Sequence, residues 1–389
     1  MSASAAVYNP QAEHSLRMSQ RRIPQLDGLR GIAVLSVVLF HYVLSIPFPK
    51  GGIGARFQDC FRLGEYGVDL FFVLSGFLIG GILLDSRESP RYFGTFYLRR
   101  FHRIFPLYYL WLMLYIVLGL SVFSHLPASI RAVWNGWRPA VVYALFLQNL
   151  VPKQLLGISA AWLGPLWSLA VEEQFYLLMP LAVRFLPKHR LVQFLVTTTL
   201  LSPLLRVAIS TWAYPRVVRY VATPLRADAL AMGVLLALAL RNQTWQTRII
   251  RNLRWLYTMI VLLLGGIIYM AAQSPLPDNR TEGILVFLMG TFFAAIILLA
   301  LVQPQGAWAR FCSLSVLRSL GGVSYCIYVI HLPMNTICLG LLHSIHGTQS
   351  VGFDVAGVVL ACAITWILSK VSWHYLESPM IRRGHAYKY

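Results

Sequence analysis

Long apolar stretches recur along the chain at the length a bilayer demands, in place of the shorter amphipathic periods of soluble helices. A hydrocarbon core of about 30 Å takes about 20 mostly apolar residues per crossing helix. Segments 30–48, 66–84, 104–123, 165–186, 191–213, 225–240, 255–273, 284–302, 320–343 and 352–371 meet that requirement. A shorter apolar piece, PAVVYALFLQNL at 139–150, is followed at once by Pro152, and its length suits a re-entrant or interfacial segment. The pattern predicts an all-α polytopic membrane protein with about ten transmembrane helices plus that short segment. Residues 1–20 are polar and carry no cleavable signal pattern, so the first apolar helix is expected to serve as an uncleaved anchor. No loop is long enough for a folded extramembrane domain. The expected organisation is a cytoplasmic tail at 1–25, a transmembrane domain at 26–379 and a second cytoplasmic tail at 380–389.

Composition agrees with this pattern and closes other routes. Of 389 residues 57% are hydrophobic and 12% charged, which argues against a soluble domain and against disorder. The formal charge of +19 would suggest nucleic acid in a polar protein. Here the positive-inside rule accounts for most of it: ten spans with both termini cytoplasmic place 22 of the 33 basic residues inside. An eleventh crossing would put the 241–254 arginines on the opposite side from the 85–103 cluster, so ten is the better count. No nucleic-acid partner is expected. The five cysteines, Cys60, Cys312, Cys326, Cys338 and Cys362, are odd in number and lack metal spacing, so they read as core filler with no metal site.

Ionisable groups at membrane depth cost about 2.5–3.5 kcal/mol on insertion scales and are therefore functional candidates. Eleven helical steps bring His41 back to nearly the face of Arg30, about 16 Å deeper, and Asp27 can pair with Arg30 at the helix start. Arg99, Arg100 and Arg103 crowd one helix entrance; a topology signal and a phosphate site both remain open for them. Glu172 and Glu173 are adjacent in the fourth span, Glu172 sharing a face with Ser168 and Glu173 with Tyr176. Either carboxylate could orient an imidazole or simply lock helices together. His331 shares a face with Ser324, Tyr328 and Asn335 just before Pro333, which fits a polar cavity or a structural hydrogen bond. Asp69 and Asp228 lie near the outer ends of their spans, where water and an acceptor can reach them. Arg206 is deep and needs a partner, with Glu173 and Asp228 the candidates.

These residues fall within a recognisable set of motifs: LDGLRGIAVLSVVLFHY (26–42), GVDLFFVLSGFLIG (67–80), FYLRRFHRIFPLYYL (96–110), LWSLAVEEQFYLLMP (166–180), PLRADALAMG (224–233) and SYCIYVIHLP (324–333). The chain resembles the acyltransferase-3 family of integral membrane acyltransferases over nearly its whole length. The resemblance implies transfer of an acyl group, most often acetyl, from cytoplasmic acyl-CoA to a hydroxyl of an extracytoplasmic or lipid-linked carbohydrate. It matches Arg30 and His41 to the family's Arg-x10-His pair, Arg100 and Arg103 to its Arg-x-x-Arg pair, and Glu172 to its WSLxxE glutamate. Some members carry a fused hydrolase-like domain, which this sequence does not contain, and acceptors that depend on such a domain are not expected.

The expected layout has acyl-CoA as co-substrate, with no tightly bound cofactor, docked by Arg30, Arg99, Arg100 and Arg103. His41 acts as base or acyl relay, with Glu172 orienting it. Glu173, Asp69, Asp228, His331 and Tyr176 are the candidate acceptor-side residues. The bilayer, the donor and the carbohydrate are the expected partners, in a bacterial cytoplasmic membrane. A multi-span transporter or flippase of a glycan-like solute is the alternative. Its site would sit near the midplane on discontinuous helices, whereas the densest basic cluster here lies at the cytoplasmic rim.

Overall fold

A computed structural model describes residues 23–126, 133–134, 136–151, 160–210, 220–273, 279–346 and 350–389. Ten long helices coincide with the ten predicted spans: α1 (Pro24–Leu44), α2 (Gly67–Asp85), α3 (Tyr92–Ser121), α4 (Trp167–Phe185), α5 (Lys188–Ser210), α6 (Ala227–Leu240), α7 (Leu253–Gln273), α8 (Asn279–Val302), α9 (Ser324–His346) and α10 (Val351–Ser372). Eight of them are long and apolar enough to cross a membrane. The other two are α4, which has the length but carries Glu172, Glu173 and Arg184, and α6, an apolar helix of 14 residues. The protein is a multi-pass integral membrane protein. Segment 139–150 holds only the seven-residue helix Arg138–Ala144, about 10 Å long and far too short to cross. The predicted tail before residue 23, Pro152, the end of the fifth predicted span at 211–213 and the loop residues Arg131, Lys153, Arg216 and Arg219 lie outside the described residues.

Local chemistry sets several helix ends. Pro24 opens α1 at a position whose N–H would have no helical partner in any case, and Asp27 lies in that first, electropositive turn. The Ser350 hydroxyl caps α10 by accepting from Phe353 N at 3.3 Å. Pro106, Pro180 and Pro333 lie inside α3, α4 and α9, each removing one backbone donor from its helix.

Two seams of backbone contact organise the bundle. A Cβ on Gly76 of α2 would overlap the Leu230 carbonyl of α6, and one on Gly233 of α6 would overlap the Val73 carbonyl of α2. Cβ atoms at Gly28 and Gly31 of α1 would likewise strike the carbonyls of Cys312 and Leu317, and one at Gly321 that of Asp27. Such glycine contacts let helices approach where no hydrophobic force between them is available. Around α1, α2 and α6 lie α4, α5 and α8 on one side and the paired α9 and α10 on the other, with α7 outermost against α8. Three of the five cysteines pack as the sequence suggests. Cys60 and Cys362 are exposed, the latter on a face of α10 that the bundle leaves uncovered.

Candidate active site

A cavity of about 100 Å³ opens between α1, α2, α3, α4 and α9. Arg30, Arg100 and Arg103 line one part of it; Phe71, Phe72 and Ser75 of α2, Ser168 and Glu172 of α4 and Tyr328 of α9 line the rest. The Glu172 carboxylate accepts the Ser75 hydroxyl at 2.9 Å on one oxygen and the Tyr176 hydroxyl at 2.8 Å on the other. Arg30 and Arg103 are the cations that act on it. Of the basic residues expected to greet phosphates, three converge here. Three guanidiniums and one carboxylate line the chamber, with Asp27 acting on Arg30 and Glu173 on Arg100 from outside it.

Arg99 does not join them. Its guanidinium turns to the chain's last residues, donating from Nε and Nη2 to the Tyr387 carbonyl at 2.9 and 2.6 Å and lying 4.9 Å from the Tyr389 ring. Arg99 is only about 40° round the helix from Arg103, so it is the contact with the chain's last residues that turns its guanidinium away from the chamber. The same strap accepts Thr95 Oγ1 at Lys388 O, 3.0 Å away. Burial there pushes the Tyr389 phenol above its usual range, against the opposite pull of Arg100 and Arg99.

His41 lies beyond the cavity wall, paired with His331. His331 Nδ1 is 2.7 Å from the Tyr328 carbonyl, which can only accept, so Nδ1 carries the proton and Nε2 presents a lone pair. That lone pair lies 3.3 Å from His41 Nδ1, which is also 2.8 Å from the Val37 carbonyl. Both neighbours are acceptors, so His41 Nδ1 is the protonated nitrogen and Nε2 is left as the basic atom. Nε2 has no hydrogen-bond partner among the described residues. Tyr328 joins the two halves of the site: its hydroxyl is 2.6 Å from Ser168 Oγ in the cavity wall, and its carbonyl fixes His331.

The expectation that Glu172 orients His41 is therefore corrected. Glu172 spends both oxygens on Ser75 and Tyr176, and the partner of His41 is an imidazole. The two aspartates expected at the outer ends are not open to an acceptor either. Asp69 is 1% exposed and paired with Arg226 at 2.9 Å, and Asp228 is 2% exposed and paired with Arg206 at 2.6 Å. Arg226, at the start of the predicted span 225–240, is buried among the rings of Phe72, Trp167 and Tyr220. Short helices and neighbouring spans cover these ends, so nearness to a helix terminus did not mean water. Glu173 is turned away from the cavity with Oε1 unpartnered, close enough to Arg100 to feel its charge, and Tyr176 serves Glu172. Ser75, Ser168 and Tyr328 complete the site. Only their places in the motifs and helix faces around 67–80, 166–180 and 324–333 signalled them. No cluster of metal-ligating side chains exists among the described residues.

The multi-pass helical bundle thus encloses an arginine-lined chamber, with a half-buried His41 paired to a buried His331 just beyond it. The chain belongs to the acyltransferase-3 family, whose model, described as an acyltransferase domain, matches residues 23–370. It is similar to the peptidoglycan O-acetyltransferase OatA of Listeria monocytogenes, with 28% identity over 391 residues covering 96% of this chain and 58% of that protein. It is also similar to the O-acetyltransferase OatA of Staphylococcus aureus, with 25% identity over 380 residues covering 94% and 58% respectively. The chain thus spans under two thirds of the length of these relatives. No solved structure matches it.

Proposed function

We propose that this protein is a membrane O-acyltransferase that moves an acetyl-class acyl group from an acyl-CoA thioester to a hydroxyl of an extracytoplasmic or lipid-linked carbohydrate. A cell-wall glycan of the kind named for the relatives is the favoured acceptor. The observation that carries this reading is the arrangement of three guanidiniums in the chamber with a tautomer-fixed imidazole just beyond Tyr328. In this reading ten crossings place both termini in the cytoplasm of a bacterial cell and open the arginine end of the chamber to that side. Arg30, Arg100 and Arg103 hold the phosphates of the donor, for which guanidinium forks are suited.

His41 Nε2 takes the proton of the acceptor hydroxyl as its oxygen attacks the thioester carbonyl. A C–O bond forms, the C–S bond breaks, and the proton passes from His41 to the departing thiolate, which leaves as free thiol. His331 Nε2 accepts from the imidazolium that forms transiently at His41, in the place a carboxylate fills in a Ser-His-Asp triad. The Tyr328 hydroxyl, at the chamber wall beside the pair, would turn from Ser168 to donate to the developing oxyanion.

The test is membranes containing the wild type or His41→Gln, supplied with radiolabelled acetyl-CoA and cell-wall glycan. Transfer of label as base-labile ester should vanish with His41→Gln while the protein still binds the donor. Normal transfer by folded His41→Gln protein sinks the proposal, as does movement of glycan across the membrane without thioester consumption.

A further inference from the structure

Helix α7 stands apart from the catalytic bundle, and most of its surface is uncovered by protein. Along one of its faces runs a groove of about 370 Å³ lined by Trp255, Thr258, Met259, Leu262, Leu263 and Gly266, with Leu288 of α8 as the facing wall. These positions recur at helical spacing, and Gly266 contributes no Cβ, with nothing within 4 Å of where one would lie. From Trp255 to Gly266 the helix rises about 16 Å, close to half the roughly 30 Å hydrocarbon core and hence the depth of one leaflet.

A separate observation sits at the groove's mouth. The preceding helix, Gln243–Arg251, is capped by the Asn242 side chain, which accepts from Thr244 N at 3.0 Å and Trp245 N at 3.2 Å, and it buries none of its residues. Arg248, Arg251 and Arg254 are exposed there, and none of them forms an ion pair among the described residues. Arg241, in the same basic cluster, is by contrast tied to Asp85 at 2.6 Å. No acidic residue occurs between Arg241 and Asp278. The Arg254 guanidinium lies 5.6 Å from the Trp255 ring, at the first residue of the groove, and Arg248 lies 5.6 Å from the Trp245 ring. Unpaired cations and indoles at an interface, directly above a one-leaflet apolar slot, match the two ends of one molecule.

We propose that this face binds an anionic diacyl phospholipid, its headgroup phosphate held by Arg251 and Arg254 and one acyl chain laid along the α7/α8 groove. Plain topology explains positive charge on this side but does not call for a groove that begins beneath it. The site is remote from the chamber and does not depend on the acyl-transfer reading.

Native mass spectrometry of the purified full chain tests it, with phosphatidylglycerol, phosphatidylcholine of the same acyl chains, and glycerol phosphate as probes. Wild type should retain phosphatidylglycerol in preference to phosphatidylcholine, and glycerol phosphate should not displace it. Each basic side chain near an anionic headgroup is worth about fivefold, so Arg251→Gln with Arg254→Gln should weaken phosphatidylglycerol roughly 25-fold and leave phosphatidylcholine unchanged. Gly266→Leu, which fills the groove without touching backbone, should weaken both lipids. Equal retention of the two lipids, a preference that survives the double arginine change, or unchanged binding in Gly266→Leu overturns the proposal. Displacement by glycerol phosphate alone would reduce the site to a simple anion contact and overturn it equally.

Discussion

Replacing His331 by phenylalanine keeps a ring in a site with 0% exposure and removes both ring nitrogens, the Nε2 that faces His41 and the Nδ1–H that donates to the Tyr328 carbonyl. In the resting protein His41 Nδ1–H still has the Val37 carbonyl at 2.8 Å, so the loss of a second, longer acceptor at 3.3 Å changes orientation little. A neutral hydrogen bond nets about 0.5–1.5 kcal/mol, which would slow a reaction by roughly 2- to 13-fold. The cost rises once His41 becomes an imidazolium, because a hydrogen bond to a charged group is worth about 1.5–3 kcal/mol. His331→Phe should therefore lower kcat by about ten- to a hundredfold. It should leave the KM for acyl-CoA unchanged, since neither imidazole lines the chamber proposed for the donor. The assay is single-turnover transfer of labelled acetyl in membranes, with His331→Gln as a partial rescue because its amide oxygen can accept. A tenfold or larger rise in donor KM with kcat intact would refute the reasoning, and so would activity equal to wild type.

Three further outcomes follow from the packing and the arginines. Asp69→Asn leaves Arg226 uncompensated in a site where neither group reaches water, and should cost about 3–5 kcal/mol in detergent thermal unfolding. Asp69→Leu combined with Arg226→Met should recover most of that loss, and failure of the double variant to recover any of it would show that the pair does more than balance charge. Gly76→Val drives a side chain into the Leu230 carbonyl and should destabilise by at least the 1–3 kcal/mol of an overpacked core, while Gly265→Ala, which has open space around it, should unfold at the wild-type temperature. Arg103→Ala should raise the KM for acyl-CoA far more than Arg99→Ala, whose guanidinium is engaged with Tyr387; equal effects in a donor titration would mean the strap releases Arg99 during turnover.

The helices were legible because a bilayer fixes their length, and each of the ten apolar stretches carries one. Both Arg30 and His41 fall within α1, as the apolar stretch predicted. Lateral neighbours were not legible. Glu172 and His41 lie on different helices, and nothing in either segment states that Ser75 and Tyr176 take one while His331 takes the other. Arg226 shows the same limit from the opposite side. Nothing in the sequence around it points to its partners, yet Asp69 of a helix far away in sequence and three aromatic rings hold it inside the bundle. Asp228, by contrast, was already one of two candidates for Arg206, because only a few acids lie deep enough to reach it.

The glycine seams divide the chamber's walls into two mechanical kinds. Arg30 and Ser75 ride on α1 and α2, whose backbones are butted against the 312–321 segment and α6 with no side chain between to compress. Glu172, Arg100 and Arg103 project from α3 and α4, which meet their neighbours through side chains such as Tyr108, Trp111 and Leu169. One half of the site is then a fixed jig and the other an adjustable jaw. A bulkier acyl group would be accommodated, or refused, on the α3/α4 side.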